Sequence, residues 1–225
     1  MLDVFASVMV PCCREENYGY LAPDFSPFSG RRSRAPRRPL LILNNGSDGS
    51  LLDMWLWGGA GATSRGYDCL TFDGPGQGYA LWKQKQYFRP DSEKVITPVV
   101  DFALSRPDVD PKRIAIQGIS HGGYWVPRAV AFEKRIAAAI ADPGVVDVAT
   151  SWTEKIQCSL MITSPVNEAY WPGQSRRLYE MVNCPQNLVE FTEADGADLH
   201  CKPKGTGIRD LRVFNWLDQT LSFHG

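Results

Sequence analysis

The sequence predicts an α/β domain with a mainly parallel sheet and helices on both faces, and three observations carry that prediction. From residue 39 onward, short apolar runs rich in β-branched residues alternate with longer segments of helical periodicity. Parallel strands read this way because each crossover needs a helix and both faces of the sheet are then covered. The second observation is the stretch 114–123, where a buried strand meets Gly118-Ile119-Ser120-His121-Gly122, a G-x-S-x-G sequence, and then a helical segment. The third is that a loop carboxylate and a loop histidine follow this serine in chain order, each after a predicted strand. Loops at the carboxyl ends of the strands are where such a sheet gathers a site.

The 225 residues suffice for one large domain with a buried sheet. Residues 1–38 form a poorly defined N-terminal segment, and residues 39–225 form the domain proper. In the first segment, residues 18–22 are placed as an outer strand, and residues 1–14 receive no assignment. Arg31, Arg32, Arg34, Arg37 and Arg38 cluster, but Pro36 and Pro39 interrupt them, so they read as a solvated loop. Residues 40–43 are the first strand of the domain and run into the polar loop 44–50. Residues 51–57 read as a helix that the glycine-rich stretch 58–61 ends early. Residues 67–73 are the next strand. The loop after it, Gly74-Pro75-Gly76-Gln77-Gly78, lacks the ending of a P-loop and the spacing of a dinucleotide site.

Residues 91–106 read as a helix with an acidic first turn, the apolar stripe Val95, Val99, Phe102 and Ala103, and a stop at Pro107. Residues 114–117 are the strand before the serine, and 123–132 the helix after it. Residues 136–141, 160–164 and 188–191 are the remaining strands. A helix over 172–182, with proline in its first turn, lies between the last two. Residues 207–221 close the chain as an amphipathic helix, with Leu211, Phe214, Leu217 and Leu221 on one stripe.

A formal net charge of -1 gives no general attraction to nucleic acid or anionic membranes. No apolar run approaches the roughly 18 residues of a membrane span. Residues 1–10 are apolar but include Asp3 and no basic region, which makes a poor signal peptide and leads us to expect a cytoplasmic location. Cys12, Cys13, Cys69, Cys158, Cys184 and Cys201 follow no zinc-like spacing and are expected to be free thiols. Neither a metal nor a cofactor is expected.

A serine hydroxyl needs a base within hydrogen-bond reach to act as a nucleophile. Three histidines are available. His224 lies in the terminal tail, and His121 follows the serine, where its backbone N–H is useful and its side chain is expected to point away. His200 remains, in the loop between the last strand and the last helix. The group that orients the imidazole is expected after the strand 160–164, in a loop whose one carboxylate is Glu168. Asp142, at the end of the preceding strand, is the reserve candidate. The loop 44–50 is placed to offer a backbone N–H to a carbonyl oxygen, from Ser47 or Asp48, beside that of His121.

Together, Asn44-Asn45-Gly46-Ser47-Asp48-Gly49-Ser50, Phe72-Asp73-Gly74-Pro75-Gly76-Gln77-Gly78, Gly118-Ile119-Ser120-His121-Gly122-Gly123, Trp171-Pro172-Gly173-Gln174 and the His200-Cys201 region resemble one branch of the α/β-hydrolase superfamily. This branch holds fungal polyketide-shortening hydrolases of pigment pathways and 2,6-dihydroxypseudooxynicotine hydrolase. The resemblance covers residues 39–223 and implies an α/β-hydrolase fold with a catalytic domain over 39–225. It also implies Ser120 as nucleophile, His200 as base, Glu168 at or beside the usual aspartate position, and an oxyanion hole from the N–H groups of His121 and of Ser47 or Asp48. Family members carry a longer N-terminal helical region and a helical cap after the strand ending near Asp142. Here residues 145–157 alone fill that interval, so little or no cap is expected. The implied activity is serine hydrolysis of an ester, a thioester or a β-diketone-like polyketide. The alternative is a non-catalytic binding protein on the same fold. The expected partner is a small carbonyl substrate, with a homodimer left open.

Overall fold

The computed structural model describes residues 8–9, 20–21, 37–146 and 152–224. Its centre is an eight-stranded sheet in the order β2-β1-β4-β3-β5-β6-β7-β8. The strands are β1 (Val8–Met9), β2 (Tyr20–Leu21), β3 (Arg38–Asn44), β4 (Asp68–Phe72), β5 (Val109–Ile119), β6 (Ala138–Asp142), β7 (Ser159–Pro165) and β8 (Gln186–Phe191). β3 through β8 pair in parallel, while β1 and β2 add an antiparallel edge. The expected outer strand over 18–22 is present as β2, and the previously unassigned first residues supply β1, which lies between β2 and β4.

Alternation along each strand splits the core in two. Leu40 and Ile42 of β3 face one side, with Ile114 and Ile116 of β5, under α3 (Glu93–Leu104), α4 (Gly122–Val130) and α5 (Gln174–Met181). Leu41, Leu43 and Ala115 face the other, under α1 (Ala60–Ser64) and α6 (Thr206–Thr220). Each fully buried aliphatic side chain contributes roughly 1.5–3 kcal/mol, so the central strands supply most of the drive to fold. Register then brings Asn44, Gly118 and Ala141 into line across β3, β5 and β6, which sets the loops that follow them side by side.

Four sequence expectations change. The helix expected to end at the glycine-rich stretch 58–61 instead kinks, at Trp57 and at Gly58 with φ +142°, and resumes as α1. Gly58 stops the regular path, but its missing side chain lets the backbone settle 3.3 Å, measured from an added Cβ, from Leu43. A short helix, α2 (Gly78–Trp82), starts where only a glycine-rich loop was expected. On α6 the expected stripe loses Leu211, which is 47% exposed, while Arg209 is completely buried. Arg38 opens β3 instead of belonging to a solvated loop, whereas Arg31, Arg32 and Arg34 lie outside the described residues. Only residues 143–158 join β6 to β7, and those described include a short helical turn at Thr153–Lys155.

Candidate active site

β5 ends at Ile119, and the chain reverses at Ser120 into α4. Ser120 has φ +56°, a left-handed conformation that costs a non-glycine residue about 1 kcal/mol or more. Two backbone bonds hold it there: the Ser120 N–H donates to the Asp142 carbonyl at 2.8 Å, and the Gly123 N–H donates to the Ser120 carbonyl at 2.8 Å. The flanking glycines are required by space. A Cβ at Gly118 would lie 2.0 Å from the Gly122 oxygen, and one at Gly122 would lie 2.8 Å from the Asn44 oxygen.

The hydroxyl that emerges from this turn meets His200, whose Nε2 lies 3.0 Å from the Ser120 Oγ. The other ring nitrogen, Nδ1, lies 2.8 Å from Oε2 of Glu168. The remaining Glu168 oxygen accepts the backbone N–H groups of Tyr170 at 2.9 Å and Trp171 at 3.2 Å. Glutamate has the reach to fold back on its own loop in this way while still meeting the histidine. Burial works to raise the Glu168 carboxyl, but the His200 contact and the two N–H donors outweigh it and hold it below its usual value. The acid and base loops also bind each other. The Asn167 N–H donates to the Asp198 carbonyl at 2.9 Å, and its side-chain amide donates to the Asp198 carboxylate at 2.9 Å.

Asp142 sits elsewhere. It is fully buried, accepts the Thr163 hydroxyl at 2.8 Å, is ion-paired with Lys202, and has the Gln117 amide 3.5 Å away. Burial alone would raise its carboxyl, but Lys202 and Arg209 reverse that and keep it low. No hydrogen bond links it to the His200 ring among the described residues.

On the opposite side of Ser120 stands the loop after β3. Gly46 abuts the serine closely enough that an added Cβ would lie 2.7 Å from the Ser120 Cβ and 3.2 Å from its Oγ. The Gly46 N–H is taken by the Asn45 side chain at 2.8 Å. Ser47 follows directly, and the exposed Asp48 is one residue further out. This loop is braced by a residue that the sequence reading passed over. The buried Gln77 amide donates to the carbonyls of Asn45 at 2.7 Å and Gly46 at 2.8 Å, while its oxygen accepts the Gly74 N–H at 2.8 Å. The signal was present in the one amide side chain among the glycines of Gly-Pro-Gly-Gln-Gly, but it points to backbone bracing and not to phosphate.

Against expectation, the His121 side chain belongs to the mouth of the site. Its ring stacks on Trp125 at 4.5 Å between centroids and meets Trp171 at 5.8 Å and Phe88 at 6.1 Å. Burial lowers the imidazole, with Asp48 opposing, so the ring is held in its neutral form more firmly than a free histidine. Trp171 and Tyr170 lie 5.3 and 4.7 Å from the His200 ring. Aromatic surface therefore lines the approach to the serine. Among the described residues, no group of three or more His, Cys, Asp or Glu side chains is arranged to hold a metal ion, and no helix is long and apolar enough to cross a membrane. Among the described residues, Cys69, Cys158, Cys184 and Cys201 form no disulfide with one another, while Cys12 and Cys13 lie outside the described residues.

The parallel sheet, the serine turn at the end of its central strand and the flanking helices define an α/β-hydrolase fold. The chain belongs to the prolyl oligopeptidase family, whose sequence profile matches residues 62–192. It is 35% identical over 153 residues to hydrolase acrC of Aspergillus aculeatus, covering 63% of this chain and 36% of that protein. It is 40% identical over 114 residues to the 20-hydroxy-prefusarin hydrolase FUS2 of Gibberella moniliformis, covering 49% of this chain and 27% of that protein. The chain thus spans about a third or less of the length of these relatives. Among solved structures, 2,6-dihydroxy-pseudo-oxynicotine hydrolase matches with a TM-score of 0.72 at 21% identity, over 86% of this chain and 64% of that one, a likeness of fold. The resemblance read from the sequence is thus met by both fungal hydrolases and the oxynicotine hydrolase.

Proposed function

We propose that the protein is a serine hydrolase in which Ser120 is the nucleophile, His200 the general base and Glu168 the group that orients and stabilises the imidazolium. The observation that carries this reading is the continuous line from Ser120 Oγ to His200 Nε2 at 3.0 Å and from His200 Nδ1 to Glu168 at 2.8 Å. Ser120 attacks a carbonyl carbon while its proton passes to His200 Nε2. The oxyanion that forms is held by the N–H groups of His121 and Ser47. Ser47 is favoured over Asp48 because it follows Gly46, the residue packed against the serine. Collapse of the adduct expels the leaving group, which takes the proton from His200. Water, deprotonated by the same base, then attacks the acyl carbon, and Ser120 leaves as its oxygen takes the proton back from His200.

The substrate is an ester, a thioester or a β-diketone-like carbonyl compound of polyketide origin. The aromatic approach of Phe88, His121, Trp125, Tyr170 and Trp171 supports a substrate with an apolar body, and the similarity to the 20-hydroxy-prefusarin hydrolase supports a hydrolytic reaction. Residues 143–158 alone join β6 to β7, a short connection for a cap, so small activated esters are the substrates of first choice. The test is labelling by a fluorophosphonate probe. The wild-type protein labels rapidly, and Ser120→Ala and His200→Ala do not. Equal labelling of wild type and Ser120→Ala removes the nucleophile assignment. A folded wild-type protein that fails to label supports a binding protein instead.

A further inference from the structure

Two buried charges beneath the site take no part in the proton path. The side chains of Asp142 and Lys202 have no exposed surface, and they are ion-paired. Lys202 also donates to the Thr163 hydroxyl at 2.7 Å and lies 4.9 Å over the Phe191 ring. Arg209, likewise fully buried, adds a second positive charge close enough to influence Asp142. Burying an ion pair is weak evidence for stability, since two apolar side chains of similar volume often serve a fold at least as well. The connections of this pair suggest a different use.

Lys202 stands two residues after His200, and Cys201 and Lys202 both have positive φ, +55° and +56°. Consecutive non-glycine residues in that conformation persist only where something holds them. Asp142 ends β6, and its backbone carbonyl accepts the Ser120 N–H at 2.8 Å. Thr163 lies on β7, which leads into the loop bearing Glu168. One buried pair therefore touches the chain segments that carry the nucleophile, the acid and the base.

We infer that Lys202 and Asp142 form a latch that sets His200 at the correct distance from Ser120, so that both are positioning residues for the reaction. This rests on the assignment of Ser120, Glu168 and His200 above. The latch acts by geometry. Lys202 pulls the base loop down onto the ends of β6 and β7, and the same Asp142 fixes the turn that presents the serine hydroxyl. Losing about 1 Å of this alignment is enough to lower turnover by up to roughly a hundredfold without weakening substrate binding.

The experiment compares wild type, Lys202→Met and the double variant Asp142→Asn with Lys202→Met, measuring kcat and KM on a nitrophenyl ester together with Tm. Lys202→Met strands a buried carboxylate and is expected to be unstable. The double variant removes both charges, so it is expected to keep a Tm near wild type while kcat falls by about tenfold to a hundredfold and KM stays within about twofold. A double variant with wild-type kcat overturns the latch and leaves the pair a component of the core. A fall in kcat that merely follows loss of folded protein in both variants overturns it equally. Ser120→Ala, measured alongside, separates the two levels: turnover retained in that variant refutes the nucleophile itself, whatever the latch variants do.

Discussion

The floor and the rim of the site are built from opposite materials. On the floor, Asp142, Thr163, Lys202 and Gln77 are buried and bound to one another or to backbone groups. At the rim, Tyr170 is 70% exposed and Phe88 is 47% exposed, and the groups meet through ring faces and edges. The two regions join at His200, which holds Ser120 and Glu168 through its nitrogens and meets Tyr170 and Trp171 through its ring. Hydrogen bonds in a buried network fix distances to tenths of an ångström, whereas aromatic contacts tolerate sliding and tilting. Under the proposed mechanism, reactivity would depend on the floor and choice of substrate on the rim.

The largest break in this comparison is expected from the serine itself. Ser120→Ala lowers kcat by roughly 10⁵-fold or more while Tm changes little, because the hydroxyl projects from the turn and fills no core space. Steady-state kinetics with thermal melts checks both halves. Next in size is Glu168, the carboxylate proposed to orient His200. Glu168→Gln lowers kcat by about 10³–10⁴-fold, whereas Asp142→Asn has a smaller catalytic effect and a larger cost in stability; the reverse ranking, with both variants folded, moves the acid to β6. At the rim, Trp171→Ala raises KM for an aromatic ester by about tenfold, roughly 1.4 kcal/mol, and changes KM for an acetyl ester by less than about threefold. Equal changes for both esters count against a selecting role for the rim.

The smallest effect sharpens the comparison from outside both regions. Burial, followed by the neighbouring Asp108, raises the Asp68 carboxyl on β4 to about 6 from its ordinary 3.8, with Arg38 and Arg106 opposing. The folded protein therefore keeps a proton that the unfolded chain releases. The stability tied to that proton is full below about pH 3.8 and is lost as pH rises through about 6. Relative to wild type, Asp68→Asn is expected to gain stability between pH 4 and pH 7 by on the order of 1 kcal/mol, with kcat unchanged. Urea unfolding at the two pH values measures the difference.

Much of this architecture is legible in the sequence because it rests on long apolar periodicities. β3, β5, β6 and β7 each announce themselves as short apolar runs, rich in leucine in β3, in isoleucine in β5 and in alanine in β6, and Gly118 and Gly122 mark the turn between strand and helix. The residues now seen at hydrogen-bonding distance, Ser120, Glu168 and His200, were named from chain order and loop position. What escaped notice depends on contacts across the sheet. β1 is two residues long and α2 five, too short for any periodicity to emerge. Lys202 looks like an ordinary loop lysine until Asp142, 60 residues earlier, is brought beneath it. On α6 the buried face runs through Arg209, Val213, Phe214 and Leu217 and leaves Leu211 exposed, because a buried arginine carries no apolar signal in a helical stripe.

The distance along the chain between the reacting partners also bears on how the protein comes into being. Ser120 and His200 are 80 residues apart, and the loop bearing His200 follows β8, which pairs with β7. Pairings so remote in sequence form late and slowly, since much chain entropy is lost before they return any contact. Until they form, the serine is an ordinary alcohol with no base beside it. In the mechanism proposed above, chemical competence therefore waits on the pairing of Ser120 with His200, and a chain in which that pairing is open carries no activated serine.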